Sequence, residues 1–186
     1  YLVPQGSNND PSETDINFEF DWTLPEYDDT SPLAWSGPAT GPLAYGIVDG
    51  IEPPGTLLTT PPINDRYTAY FRHEFETTEL LDNLYLEFLV DDSGVFYLDG
   101  VEIDRHNCCI DELGDEAPSI FFSFGMGAAN ETAVVQRQVL VDQELQPGQH
   151  VFAASVHQRS TDSSDLGFNL RFFNRVDPKP HPTPDF

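Results

Sequence analysis

The sequence predicts an all-β chain, a β-sandwich or jelly roll, and three observations carry that prediction. From Tyr67 onward, apolar residues recur with a period of two, the spacing of a strand that buries one face. Asp99-Gly100 lies between two alternating runs, and this dipeptide favours the type I′ hairpin turn, whose central residues both take positive φ. No window of about ten residues shows helical spacing between capping signals.

In chain order, residues 1–66 are rich in Pro, Gly, Asp, Ser and Thr, with Pro53-Pro54 and Pro61-Pro62 as breaks. This part is expected to be mostly loop with a few short strands, held down by Phe18, Phe20, Trp22, Trp35 and Tyr45. Residues 67–76 place Tyr67, Ala69, Phe71, His73 and Phe75 on one strand face and Thr68, Tyr70, Arg72, Glu74 and Glu76 on the other. Leu84, Leu86, Phe88 and Val90 form the inward set of the next strand, and residues 95–104 hold the hairpin. Segments 132–141, 149–157 and 166–174 alternate as well, with Pro147-Gly148 turning between the first two. About eight short strands at such spacings make a sandwich. No period of roughly 20 to 50 residues speaks for a solenoid or propeller. Residues 1–176 read as one domain, and residues 177–186, with Pro178, Pro180, Pro182 and Pro184, as an extended tail or linker.

Charge narrows the functional classes. The 186 residues carry 32 Asp plus Glu against 8 Lys plus Arg, a net charge of −24, and Lys179 is the only lysine. A nucleic-acid binder needs a basic stripe to displace phosphate counterions, and anionic lipid attracts the same kind of patch, so neither partner is expected. A hydrophobic fraction of 39% supplies a real core, which places the acids on the surface of a folded body. No run approaches the roughly 18 apolar residues of a membrane span. The absence of a basic segment followed by an apolar one reads as a mature chain or an excised module. Such a surface suits a saline or calcium-containing extracellular setting, or simply an acidic secreted protein.

Few residues announce chemistry. The sequence has no Gly-x-Ser-x-Gly elbow, no phosphate-cradling Gly loop leading to a Lys, and no His-x-x-x-His or Cys-x-x-Cys pair, so no catalytic residue is assigned and the chain is expected not to be an enzyme. The adjacent Cys108 and Cys109 can form a vicinal disulfide, bind a soft metal, bridge to another chain or stay reduced. Asp91-Asp92 follows an inward-facing strand and precedes Ser93-Gly94. Its carboxylates either cap a turn or supply hard oxygens to Ca²⁺ and sugar hydroxyls. His157 is in phase with Val151 and Ala153, which suits a buried structural histidine. With Arg72, Ser164 and Asp165 it is expected to form a polar cluster in which Arg72 pairs with a carboxylate. Trp22 and Trp35 are either core plugs or exposed platforms for a sugar ring.

Three stretches together resemble the galactose-binding-like jelly-roll domains of secreted, multimodular bacterial proteins. They are Tyr70-Phe71-Arg72 with Phe75; Asp91-Asp92-Ser93-Gly94-Val95-Phe96-Tyr97-Leu98-Asp99-Gly100-Val101-Glu102 with Arg105 and Asn107; and Gly148 with Val156-His157-Gln158, Ser163-Ser164-Asp165-Leu166 and Phe168. The chain departs from the pattern at Asp99, where Asn-Gly is common, and in the insert 108–117. The resemblance implies an extracellular carbohydrate-binding or adhesion module whose partner is a polysaccharide or glycan. Asp91, Asp92, Tyr97, Arg105, Trp22 and Trp35 would contact the ligand, and Asp91 and Asp92 would hold a calcium ion. The alternative is a subunit of an extracellular filament or surface layer that joins copies of itself through its N-terminal strand or C-terminal tail.

Overall fold

A computed structural model describes residues 1–175 except 31, 112 and 127–134, and the side chains of residues 20 and 135–137 are likewise outside the description. The proline-rich tail, the Phe20 anchor and the start of the strand expected at 132–141 therefore lie outside the described residues. The strands are β1 (Leu43–Tyr45), β2 (Thr56–Leu57), β3 (Thr68–Thr77), β4 (Leu84–Asp91), β5 (Ser93–Leu98), β6 (Val101–His106), β7 (Cys108–Ile110), β8 (Phe124–Gly125), β9 (Val135–Leu140), β10 (Gly148–His157) and β11 (Leu166–Asn174). A sheet of order β3-β10-β5-β6 packs on a sheet of order β2-β1-β11-β4-β9, and β7-β8 form a small ribbon. The chain is a β-sandwich, as the alternation predicts. Among the described residues no helix is long and apolar enough to cross a membrane.

The layer between the sheets is the one the sequence pattern indicates. Leu84, Leu86, Phe88 and Val90 meet Ala69, Phe71, Phe96, Leu98, Phe152, Ala154, Val156, Leu166 and Phe168 there. The β5–β6 hairpin turns at Asp99 and Gly100, both with positive φ (49° and 81°). Asp99 also fastens the turn to β10. Its carboxylate accepts the Val151 amide at 2.8 Å and pairs with His150 at 2.6 Å.

The opposite face of the first sheet departs from the expected pattern. A sandwich strand normally alternates buried and solvated residues, yet the whole run from His150 to Gln158 is buried. Tyr70, Val151 and Ala153, on the face that points away from the second sheet, carry Phe18, Trp22, Tyr27, Leu33 and Phe121. The irregular N-terminal part is thus a roof over the sheet. Two one-turn helices, α1 (Pro11–Thr14) and α2 (Phe18–Asp21), shape it. Asp10 caps α1 by accepting the Ser12 amide at 3.0 Å, with Pro11 at the first helical position, where its missing N–H has no helical partner to lose. Asp15 accepts the Tyr27 hydroxyl at 2.8 Å and closes the turn that follows.

Arg72 fastens the roof. Its side chain is 2% exposed, and its guanidinium donates to the carbonyls of Trp22 (2.7 Å), Leu24 (2.9 Å) and Tyr27 (3.4 Å) while pairing with Asp29 and Glu74. The expected carboxylate partner is present, but the main chain is the larger part of the site. The N-terminal strand is also engaged within the chain. Leu2 exchanges both backbone hydrogen bonds with Tyr70 at 2.8 Å, and the Tyr1 ammonium donates to the Ser36 carbonyl.

Arg72→Ala leaves three roof carbonyls without their donor, and unfolding in urea is expected to show a loss of about 2–4 kcal/mol. Arg72→Lys is expected to recover only part of it, because one ammonium does not reproduce the guanidinium fork. A change below about 0.5 kcal/mol for the alanine variant, the range of ordinary surface substitutions, contradicts the clamp.

Candidate functional site

A cleft of about 880 Å³ opens where the roof meets the mouth of the sandwich. Leu43, Phe71, Phe152, Phe168 and Leu170 line it on one side, the segment 33–39 with Trp35 on another, and Asp29, Arg72, His73, Glu74 and Asn169 add polar groups. The register explains the mixture. Phe71 packs between the sheets, and His73 is the next residue on the same face of β3, where an exposed polar ring takes the place of a core side chain. The guanidinium of Arg72 holds Asp29 and Glu74 beside the opening, where both keep exposed oxygen. An apolar lining with a few convergent polar groups is the usual composition of a small-ligand site.

The second cluster is the corner where the chain crosses between sheets. β4 ends at Asp91 in one sheet and β5 begins at Ser93 in the other. Asp92 caps the neighbouring loop, accepting the Arg159 amide at 2.9 Å and the Ser163 hydroxyl at 3.4 Å. Burial, then the charges of Asp92, Asp165 and Asp49, pushes the Asp91 carboxyl up to about 7. Burial likewise raises Asp92. Gln158, fully buried beside them, donates to the Asp165 carbonyl at 2.7 Å and to the Tyr45 hydroxyl, while its Oε1 accepts no hydrogen bond among the described residues.

The structure redistributes the residues singled out in the sequence. Tyr97 and Arg105 do not join Asp91 and Asp92. They lie on the roofed face of the first sheet, where Arg105 makes a two-pronged pair with Glu102 at 2.8 Å and Tyr97 packs edge-on against Trp22 at 5.7 Å. Trp22, at 6% exposure, is a core plug and not a platform. Trp35 is half-buried and reaches the cleft.

His157 and the Ser164-Asp165 pair are separated too, because adjacent strand residues point to opposite faces. Gln158 turns toward Asp165, whereas His157 turns under the roof. There Nδ1 meets the Thr68 hydroxyl at 2.9 Å and the Ser123 carbonyl at 3.1 Å, and Nε2 meets the hydroxyls of Ser119 and Ser155 at 3.0 Å. Burial lowers its pKa to about 4. The Ser164 hydroxyl donates to the Asp165 carboxylate at 2.8 Å. Cys108 and Cys109, both buried, are joined to each other by a disulfide. Sequence reasoning missed His73 and Asn169. A polar residue in phase with a core aromatic was the available signal for His73, but Asn169 gave none.

No family model matches the chain, and no curated protein matches it either. Among solved structures it is similar to a β-glucosidase from Kluyveromyces marxianus in complex with glucose, at 15% identity and a TM-score of 0.40, over 61% of this chain and 12% of that one. A GH2 β-galacturonidase from Eisenbergiella tayi bound to glycerol gives 15% identity and a TM-score of 0.31, over 55% and 17%. The catalytic domain of a GH87 α-1,3-glucanase in complex with nigerose gives 20% identity and a TM-score of 0.28, over 63% and 23%. The chain therefore spans under a quarter of the length of these structures, and its architecture is read from its own strands.

The two shifted groups oppose one another in their effect on stability. Asp91 moves from 3.8 to about 7 on folding, so its contribution is present below the lower value and is lost as pH rises through about 7. His157 moves from 6.5 to about 4, so its contribution is present above 6.5 and is lost as pH falls through about 4. The difference in melting temperature between Asp91→Asn and the wild type is expected to grow in favour of the variant from pH 4 to pH 8. A difference that does not change with pH contradicts the placement of Asp91.

Proposed function

We propose that the chain is a non-catalytic, extracellular carbohydrate-binding module of the galactose-binding-like kind, with a glycan as its partner in the cleft at Trp35. The observation that carries this reading is the composition of the cleft. A pyranose ring presents an apolar face of C–H groups to aromatic side chains and a girdle of hydroxyls to polar ones. Trp35 and the lining phenylalanines suit the first, and Asp29, His73, Glu74 and Asn169 suit the second. Of the ligand residues expected from the sequence, this reading keeps Trp35 and joins it to the cleft residues in place of Asp91, Asp92, Tyr97, Arg105 and Trp22.

Calcium belongs to the proposal as a structural ion at the Asp91-Asp92 corner. Asp91 and Asp92 offer hard carboxylate oxygens on adjacent residues, the ligand type that Ca²⁺ takes. The ion would supply positive charge to carboxylates that now repel one another. Assembly through the N-terminal strand is not proposed, since Leu2 is already paired with Tyr70.

Isothermal titration against the hits of a glycan array is expected to show Trp35→Ala and Asn169→Ala weakening binding by about tenfold or more, with the fold intact. Absence of any glycan ligand at millimolar concentration contradicts the reading. Millimolar calcium is expected to raise the melting temperature of the wild type but not of Asp91→Asn/Asp92→Asn. A wild-type melting temperature indifferent to calcium removes the ion from the account and leaves the cleft standing.

A further inference from the structure

The roofed face of the first sheet holds a group of side chains that the carbohydrate reading does not use. Both Sγ atoms of Cys108 and Cys109 and one ligating nitrogen of His157 lie within 4.8 Å of one another, and all three residues are buried. Linear sequence does not show this group, because His157 comes from β10, whereas the cysteines belong to β7 in the insert that covers it.

Hydrogen bonding fixes which nitrogen is free to ligate. Nδ1 faces the Ser123 carbonyl, which only accepts, and the Thr68 hydroxyl, whose proton goes to the Phe121 carbonyl at 2.8 Å. Nδ1 therefore carries the hydrogen, and Nε2 carries the lone pair. A histidine that donates its other ring N–H to a backbone carbonyl has the outer-shell arrangement typical of metal ligands. The hydroxyls at Nε2, Ser119 and Ser155, rotate and release it without moving the backbone. Ser119 is partly exposed and lies just past residues 113–116, which are exposed.

We propose that reduction of the Cys108–Cys109 disulfide creates a binding site for a thiophilic divalent cation of the zinc type, held by the two thiolates and His157 Nε2. A small dithiol supplies two electrons and two protons and is itself oxidised to its disulfide, while the S–S bond opens to two thiols. The metal then displaces both thiol protons to solvent. Two sulfurs and one imidazole are soft and borderline ligands that suit Zn²⁺ or Cd²⁺ and discriminate against Ca²⁺, so this site is chemically distinct from the Asp91-Asp92 corner. In the oxidised chain the sulfurs are committed to each other, which makes binding conditional on redox state.

The test uses the whole chain, reduced with dithiothreitol, desalted anaerobically and titrated with Cd²⁺ and Zn²⁺. One equivalent of Cd²⁺ is expected to produce a thiolate-to-metal charge-transfer band. That band should be absent from the oxidised protein and from Cys108→Ser/Cys109→Ser. Competition with a chromophoric chelator is expected to show Zn²⁺ affinity falling by about tenfold or more in His157→Gln, a lost ligand costing no less than an outer-shell partner. Should His157→Gln fail to fold by circular dichroism, cadmium-113 NMR of the wild type reads the donor set directly. A shift for two sulfurs and a nitrogen supports the site, and a shift for sulfur and oxygen only overturns it. A disulfide that resists excess dithiol in the folded protein, no stoichiometric binding after reduction, or equal binding by His157→Gln also overturns it.

Discussion

The guanidinium of Arg72 is the point on which the rest of the molecule depends. One sheet of this sandwich is covered on both faces, and the outer cover is irregular chain, which has to find partners for backbone groups that no strand satisfies. Arg72 supplies several of them at once, at the carbonyls of Trp22, Leu24 and Tyr27. From there the chain runs through Asp29 to Trp35, so the clamp that holds the roof also sets the wall of the cleft. The β7-β8 ribbon and Ser119 cover the other end of the same face, where Ser119 meets His157 and the two cysteines pack on Val95.

The distribution of charge follows the same logic. With 8 basic residues against 32 acidic ones, cations are scarce, and several are spent inside the fold. Besides Arg72, Arg66 donates to the carbonyls of Pro61 and Ser163, tying the loop before β3 to the loop before β11. The net charge of −24 is thus mostly a property of the surface, while the half-buried carboxylates of Asp91, Asp92 and Asp165 lie at one corner, where burial and neighbouring charge raise the Asp91 pKa to about 7. That corner and the sulfur-histidine group present opposite chemistries, hard oxygen and soft sulfur, at different faces of the sandwich.

Much of the fold was legible because a strand with one buried face writes its geometry into alternate residues. Leu84 to Val90, the Asp99-Gly100 turn and the run 166–174 all fall as the alternation predicts. What alternation cannot show is a strand covered on both sides. Tyr70 shares its strand face with Arg72 and Glu74, a polar pattern, and it is the roof that buries it. The same limit governed the sites. Asp91-Asp92 is a contiguous signal and lies at a sheet corner as expected, but Tyr97 and Arg105, a few residues further on, belong to the other sheet. Trp35 and His157 acquire their neighbours from segments tens of residues away, and no local pattern encodes those meetings.

The central claim is that the irregular N-terminal third is part of the folded body, clamped to the sheet and forming the cleft wall. Native-state hydrogen exchange resolved by segment tests it most directly, since protection reports the free energy of local opening. Amides of the hydrogen-bonded turns between Asp15 and Tyr27 are expected to exchange nearly as slowly as those of β3 and β10, and to lose protection selectively in Arg72→Ala. Rapid exchange of those turns in the wild type, with the sheet still protected, would show the roof to be a detachable strap and contradict the account.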